Sequence, residues 1–344
     1  MRSGNKKRRE KMKKAIAILM IALIAMTSVF ANGAAETATE AKKTDTVRVA
    51  YMSNYASLCT LVSAMNTGAF EEQGITVELF EFADGPTIIS AMESGSIDIG
   101  YIGHGAHKLC INGKADIFAF SHVGNGDAIV GSKAKGVTDV ASLKGKKVGY
   151  ASGTSSEQIL LWALEGAGLT MNDIKGYEMD ASALTTAMIS GSLDACATWS
   201  PSSFTVIDAL GSDAVVVANN LSFADRSASV ASWIVMKKWS ADNRDLLVRF
   251  TKALYAGMDY RADANNYKQV AEWVAKVTGT GFDTAYAQRG DAEWITSAEL
   301  ISQINDGTIN KLYEVQKKGF GTAVNQDAKV SDYVLFDVML EAAK

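Results

Sequence analysis

Eight residues, Ala91-Met-Glu-Ser-Gly-Ser-Ile-Asp98, return as Ala187-Met-Ile-Ser-Gly-Ser-Leu-Asp194, with six identities at a fixed offset of 96. The strand-like segment ahead of the first copy returns as well, Arg48-Val-Ala-Tyr51 matching Lys147-Val-Gly-Tyr150. A repeat that keeps the order of strand and helix restricts the chain to two similar lobes. In both copies Ser-Gly-Ser falls where a helix should end and a strand begin, a place that suits glycine because it enters the left-handed conformation cheaply. Asp98 and Asp194 follow at the strand starts, where a capping or turn role is the simpler reading.

The patterns around the repeat define the unit. Thr46 to Met52 alternates as a strand does, 57–67 places Leu58, Leu61, Val62 and Met65 on one helical face, and Ile75 to Phe82 alternates again. A helix over 86–93 and a short strand over 97–102 complete a βαβαβ unit, the building block of a sheet with parallel strands. The second unit repeats this order with the strand 147–150 and the helix 156–165. Ala214 to Ala218 then reads as a strand, 221–229 as a polar crossing, and 231–236 as a strand returning to the first lobe; the remainder reads as helical packing, chiefly 241–264 and 266–277. The fold class is therefore α/β, with two lobes built on βαβαβ sheets, flanked by helices and joined by crossing strands. The expected division is lobe 1 over 45–130 plus 231–344 and lobe 2 over 131–230. Strand carboxyl ends in such sheets border the ligand, so two facing sets define one cleft.

The first 44 residues stand apart. Residues 1–31 carry eight basic side chains and one acid, then the apolar run Ala15 to Met26 and a small-residue exit, which describes a cleaved secretory signal peptide; the run is too short for a spanning helix. Residues 32–44 lack apolar periodicity and read as a flexible tether. The formal charge of -4 hides this split, because the remaining 313 residues hold 26 basic and 37 acidic groups, a balance of -11. Without a basic stripe, such a body is a poor partner for nucleic acid. Cys59, Cys110 and Cys196 have no CxxC spacing and read as small buried side chains.

Candidate ligand contacts lie on the loops that follow the strands. Ser53, Asn54 and Tyr55 stand between the first strand and its helix, and Ser152, Thr154, Ser155 and Ser156 occupy the same place in the second unit. Serine and threonine there serve equally as caps of the helix or as part of an anion site built on free backbone N–H groups. Gly85, ahead of Pro86, allows close backbone approach to a second helix start. Gly103 and His104 end the third strand of lobe 1 and Trp199 and Ser200 that of lobe 2, so His104 and the Trp199–Ser200 pair should face each other. Trp199 can be a flat apolar wall or plain core, and His104 a contact or a structural histidine. His104, His107 and Cys110 share a three-residue spacing, too bare a pattern to establish a metal site, and His122 completes the histidines. Arg226 near the crossing could meet an anion, though pairing with the adjacent Asp225 is the simpler reading. No GxSxG, P-loop, HExxH or dinucleotide fingerprint occurs, so a catalytic reading has no named nucleophile, and no cofactor or metal is expected.

These residues resemble the soluble substrate-binding proteins of bacterial ABC importers for sulfonates, taurine, nitrate and thiamine-pyrimidine precursors. The resemblance runs from about Val47 to Met236 and is carried by the strand 47–51, the segment Ala83-Asp-Gly-Pro-Thr-Ile-Ile-Ser-Ala-Met92, Ser94 to Gly100, Val140 to Val148, Ser152 to Leu161, and Ala197-Thr-Trp-Ser-Pro201. It implies a two-lobe periplasmic-binding-protein fold of type II that closes on one small molecule without catalysis, and a periplasmic monomer that meets the membrane only through a permease and its ATPase. The loops matching 53–55, Gly85, 103–104 and 152–156 would hold the polar head group, and the region of Trp199 the far end. The implied solute is a small organic anion of sulfonate type. Members often carry an acid after the tryptophan, where this chain has Ser200, a departure that counts against taurine. A neutral or cationic aromatic solute is the alternative, supported by Tyr51, Tyr55, Trp199, Trp233 and the acidic balance, and a same-fold enzyme is a further one.

Overall fold

The computed structural model describes residues 44–224 and 226–344. The signal peptide expected over 1–31 and all but the last residue of the expected tether lie outside the described residues. No helix among the described residues is long and apolar enough to cross a membrane.

Ten strands form two sheets of five. The first has the order β2 (Ile75–Phe82), β1 (Asp45–Met52), β3 (Ile99–Ile102), β10 (Val230–Val235), β4 (Asp116–Val123). The second has the order β7 (Lys175–Glu178), β6 (Lys147–Tyr150), β8 (Ala195–Trp199), β5 (Asp127–Ser132), β9 (Ala214–Asn219). In each sheet three parallel strands are followed by one antiparallel strand, and that strand arrives from across the molecule: β5 directly after β4, β10 after β9. Helices of nine or more residues are α1 (Tyr55–Asn66), α2 (Gly85–Glu93), α3 (Ser155–Gly166), α4 (Ala181–Ile189), α5 (Ser202–Leu210), α6 (Arg244–Ala262), α7 (Tyr267–Thr278), α8 (Ser297–Asn305) and α9 (Thr308–Gly319).

The repeat has a physical basis in these elements. Asp98 accepts the Arg48 backbone N–H at 2.9 Å, and Asp194 accepts that of Lys147 at 2.9 Å, so each aspartate ties its own strand to the neighbouring parallel one. Asp98 also accepts Arg48 Nη2 at 2.6 Å and Trp239 Nε1 at 3.1 Å. Gly95 and Gly191, with φ of 77° and 71°, make the left-handed turn out of α2 and α4 that a side chain would resist. Both aspartates and both glycines are thus structural.

The return crossing agrees with the sequence reading, 231–236 appearing as β10, but the outgoing one from β4 to β5 differs. The expected lobe boundary at 130 falls inside β5, which pairs with β8 and β9. Strand β4 gives no alternating signal because seven of its eight residues are buried, Phe118 lying edge-on to Phe250 of α6 and the C-terminal helix Phe336–Ala342 packing on the strand. The core of the first lobe is the larger, with Trp233 of β10 at 1% exposure and edge-on to Tyr101 at 5.5 Å. Cys59, Cys110 and Cys196 are free and buried, each filling apolar space in a helix or strand.

Candidate functional site

The carboxyl ends of β1, β2, β3, β6 and β8 converge on one cleft between the sheets. The space it encloses, open solvent at its mouth included, is about 650 Å³. Three helix starts border it. Asn54, the cap of α1, accepts the Ser57 N–H at 2.9 Å; Asp84, the cap of α2, accepts that of Thr87 at 2.8 Å; Thr154 caps α3 through Ser156 N–H at 3.2 Å. Each cap satisfies one first-turn donor and leaves others without an intrahelical carbonyl.

Of the residues expected at the site, Asn54, Gly85, Gly103, His104, Thr154, Ser155, Trp199 and Ser200 line the cleft, while Ser53, Tyr55, Ser152 and Ser156 do not. Tyr55 is 1% exposed, donates its backbone N–H to Gln288 Oε1 at 3.0 Å and packs edge-on against Trp294. Ser156 is fully buried, its Oγ accepting the Ala151 N–H at 2.9 Å, so it braces the loop ahead of α3. Ser57 does the same in lobe 1, accepting the Met52 N–H at 3.2 Å, which marks the pair as a structural echo of the repeat. Arg226 turns outward to Glu165 at 2.5 Å.

His104 is 3% exposed, packed against Phe320 and Trp162, and its Nδ1 accepts from Gln316 Nε2 at 3.0 Å. Burial pushes its pKa well below the usual value, so the ring is neutral, with the proton on Nε2. His107 is held by Gly103 O at 3.0 Å and Ser232 Oγ at 2.9 Å, a structural role, and Cys110 is in the core. No group of three potential metal ligands occurs among the described residues.

Several lining residues gave no local signal. Tyr101, His122, Asp127 and Asp291 all reach the cleft. Asp127 opens β5 and accepts Ser155 Oγ at 2.5 Å and Asn220 Nδ2 at 2.8 Å. Asp291 lies on a short turn after Phe282–Ala287 and accepts the Ser200 hydroxyl from the other lobe. Burial, with a further push from Asp127, raises Asp291 to about 7 against the pull of the Ser200 hydroxyl. Burial also raises Asp127, and it lowers His122 to about 3. Among the described residues no lysine or arginine lines the cleft.

Contacts bridge the cleft beside the site. Lys108 Nζ is 3.4 Å from Glu157 Oε2, and Trp162 Nε1 donates to Gly319 O at 3.1 Å. The lobes therefore meet around the cleft through backbone, aromatic and ionic contacts.

Comparison with known proteins agrees with this geometry. Residues 56–265 match the family model described as NMT1/THI5 like. A binding protein of Brucella abortus (strain 2308) is 30% identical over 264 residues, covering 77% of this chain and 81% of that one. The taurine-binding periplasmic protein of Escherichia coli (strain K12) is 25% identical over 301 residues, covering 84% and 91%. Among solved structures, the alkanesulfonate-binding protein SsuA from Xanthomonas axonopodis pv. citri, bound to MOPS, superposes with a TM-score of 0.63 at 20% identity, covering 84% of this chain and 97% of that one, a likeness of fold.

Proposed function

The chain belongs to the NMT1/THI5-like family, and from that premise we propose that it is the exported solute-binding component of an ABC import system, which takes a small organic solute into the cleft and passes it to a membrane permease driven by an ATPase. The observation that carries this reading is the cleft itself, bordered by strand ends of both sheets and bridged by contacts from one lobe to the other. A site so placed opens and closes as the lobes move, which is what capture and release require. The relatives that are named for sulfonate and taurine binding, and for the periplasm, support the same role.

Net charge limits the solute. A sulfonate group would find N–H donors at the start of α3, the end where the family resemblance implies a polar head. Asp84 and Asp291 line other parts of the cleft, and Asp127 stands beside that helix start, its carboxylate engaged by Ser155 Oγ and Asn220 Nδ2. The solute that fits both is organic, with an oxyanion or carbonyl at one end and no negative charge at the other. An enzyme of the same fold is less well supported: Ser155 and Ser200 donate to aspartates, and among the described residues neither hydroxyl bonds a histidine that could act as base.

Titration of the purified protein with candidate solutes, followed by intrinsic tryptophan fluorescence, tests the role. One solute bound per chain, recovered unchanged after hours, is the expected result; its chemical conversion would establish the enzyme reading instead. Loss of that solute's uptake in cells lacking the gene tests the link to a permease.

A further inference from the structure

We infer that Asp127 and Asp291 form a cation subsite in the cleft, so that the captured solute carries a positively charged nitrogen, as an ammonium, an amidinium or a protonated amino-heterocycle, set against the Trp199 indole. The inference rests on the reading that solute occupies this cleft.

Asp127 and Trp199 are direct partners across β5 and β8, which places their side chains together on one face of the sheet. Asp291 approaches from the other lobe, and its carboxylate lies beside Gly126, the residue before Asp127. The two carboxylates are 7% and 8% exposed, and each is partnered only by hydroxyl or amide donors. Buried charges of one sign, close together and without a cation, are unfavourable until a positive group joins them. The nearby arginines do not serve. Arg261 is directed at Thr60 Oγ1 and Ser121 O and stacks on Trp294, and Arg289 stacks on Tyr267 and Tyr286.

A second group in the same cleft is also prepared for a ligand. His104, which lines the cleft at 3% exposure, has its Nδ1 engaged by Gln316; its Nε2 makes no hydrogen bond among the described residues, though the Ala228 backbone stands close enough to the ring to oppose the effect of burial. That N–H offers a donor to an acceptor on the solute, while the aspartates accept from its nitrogen. Trp199 and Tyr101 bring aromatic rings to the cleft, and a ring that meets the solute with its face favours a cation over an anion. Ser200 donates to the carboxylate that Asp291 brings from the C-terminal segment.

The titratable groups that line the cleft with Asp291 are Asp127 from the other lobe and His104, His122, Tyr101 and Asp84 from its own, and Arg289 lies on its own turn. Both histidines stay neutral, so ionisation of the carboxylate governs the pH response and cation affinity rises between pH 6 and pH 8.

Calorimetry at pH 6 and pH 8 with probes matched in shape but differing in charge tests this: benzylamine, benzyl alcohol and phenylmethanesulfonate on one ring, and taurine against ethanesulfonate. The expected result is that a probe with a nitrogen cation binds at least tenfold more tightly than its purely anionic counterpart. Asp291→Asn and Asp127→Asn should each cost at least tenfold, with Asp291→Glu recovering part of the loss and Asp291→Asn flattening the pH response. Tighter binding of the sulfonate, abolished by Trp199→Ala but untouched by Asp291→Asn, overturns the cation subsite while leaving the cleft as the site. Binding that survives Trp199→Ala and both asparagine substitutions overturns the cleft reading itself. Far-UV circular dichroism of each variant confirms that a loss is not unfolding.

Discussion

Gly105 meets Thr154 across the cleft so closely that a β-carbon on the glycine would stand 2.1 Å from the Thr154 carbonyl carbon and 2.6 Å from the Ser155 nitrogen. The obstacle is backbone on a helix start, which cannot swing aside as a flexible side chain would. Gly105→Ala should therefore hold the lobes apart. We expect solute affinity to fall at least tenfold, about 1.4 kcal/mol, while far-UV circular dichroism is unchanged and the radius of gyration with solute stays at its solute-free value. Wild-type affinity in the variant would show that this contact does not gate closure.

The Lys108–Glu157 pair offers a subtler test of the same movement. Both side chains are about four-fifths buried between the lobes, so their coupling should exceed that of a fully exposed pair while remaining small, about 0.5 to 1 kcal/mol in a double-mutant cycle on solute affinity. Raising the ionic strength should shrink it. Glu157 also accepts the Gly153 N–H at 2.9 Å, so Lys108→Met is the cleaner single variant.

Ser155 and Ser156 are neighbours with separate duties. Ser156→Ala leaves the buried Ala151 N–H without its acceptor and should cost about 1 to 3 kcal/mol of stability, read as a lower Tm. Ser155→Ala removes a hydroxyl from Asp127 at the cleft, and should change affinity with little change in Tm. The reverse pattern would mean that the loop ahead of α3 is braced by some other group.

Asp291 sets a pH dependence of solute-free stability. Its folded-state value of about 7 lies above the ordinary 3.8, so the folded chain binds the extra proton; this contribution is full below about pH 4 and is lost as pH rises through 7. Asp291→Asn carries no such loss. Its Tm should exceed that of the wild type at pH 8, and the gap should narrow as the pH is lowered to 5. A gap independent of pH would show that Asp291 is not held in its protonated form.

Much of this was legible because it is local. The strands and helices of both units carry their own periodicity, the Ser-Gly-Ser turns announce themselves, and the helix caps at Asn54 and Thr154 sit where hydroxyl and amide side chains follow a strand. Asp127 and Asp291 were not legible for the opposite reason. Asp291 reaches Ser200 over a separation of 91 residues, from a turn between helices that reads as packing. Asp127 opens a strand that belongs to the sheet across the cleft. Tyr55 and Ser156 were drawn into the expected site by their place on the right loops, where side-chain direction rather than position decides between ligand and brace.

The crossing strands also have a consequence in time. Strand β10 lies between β3 and β4, yet it follows the whole second sheet in the chain. As the polypeptide emerges from its amino end, β3 and β4 must wait with exposed edges until more than a hundred further residues have appeared, whereas the second sheet has all of its strands in one uninterrupted stretch from Asp127 to Asn219. The smaller lobe can complete itself first, and the lobe that begins the chain is the last to be finished.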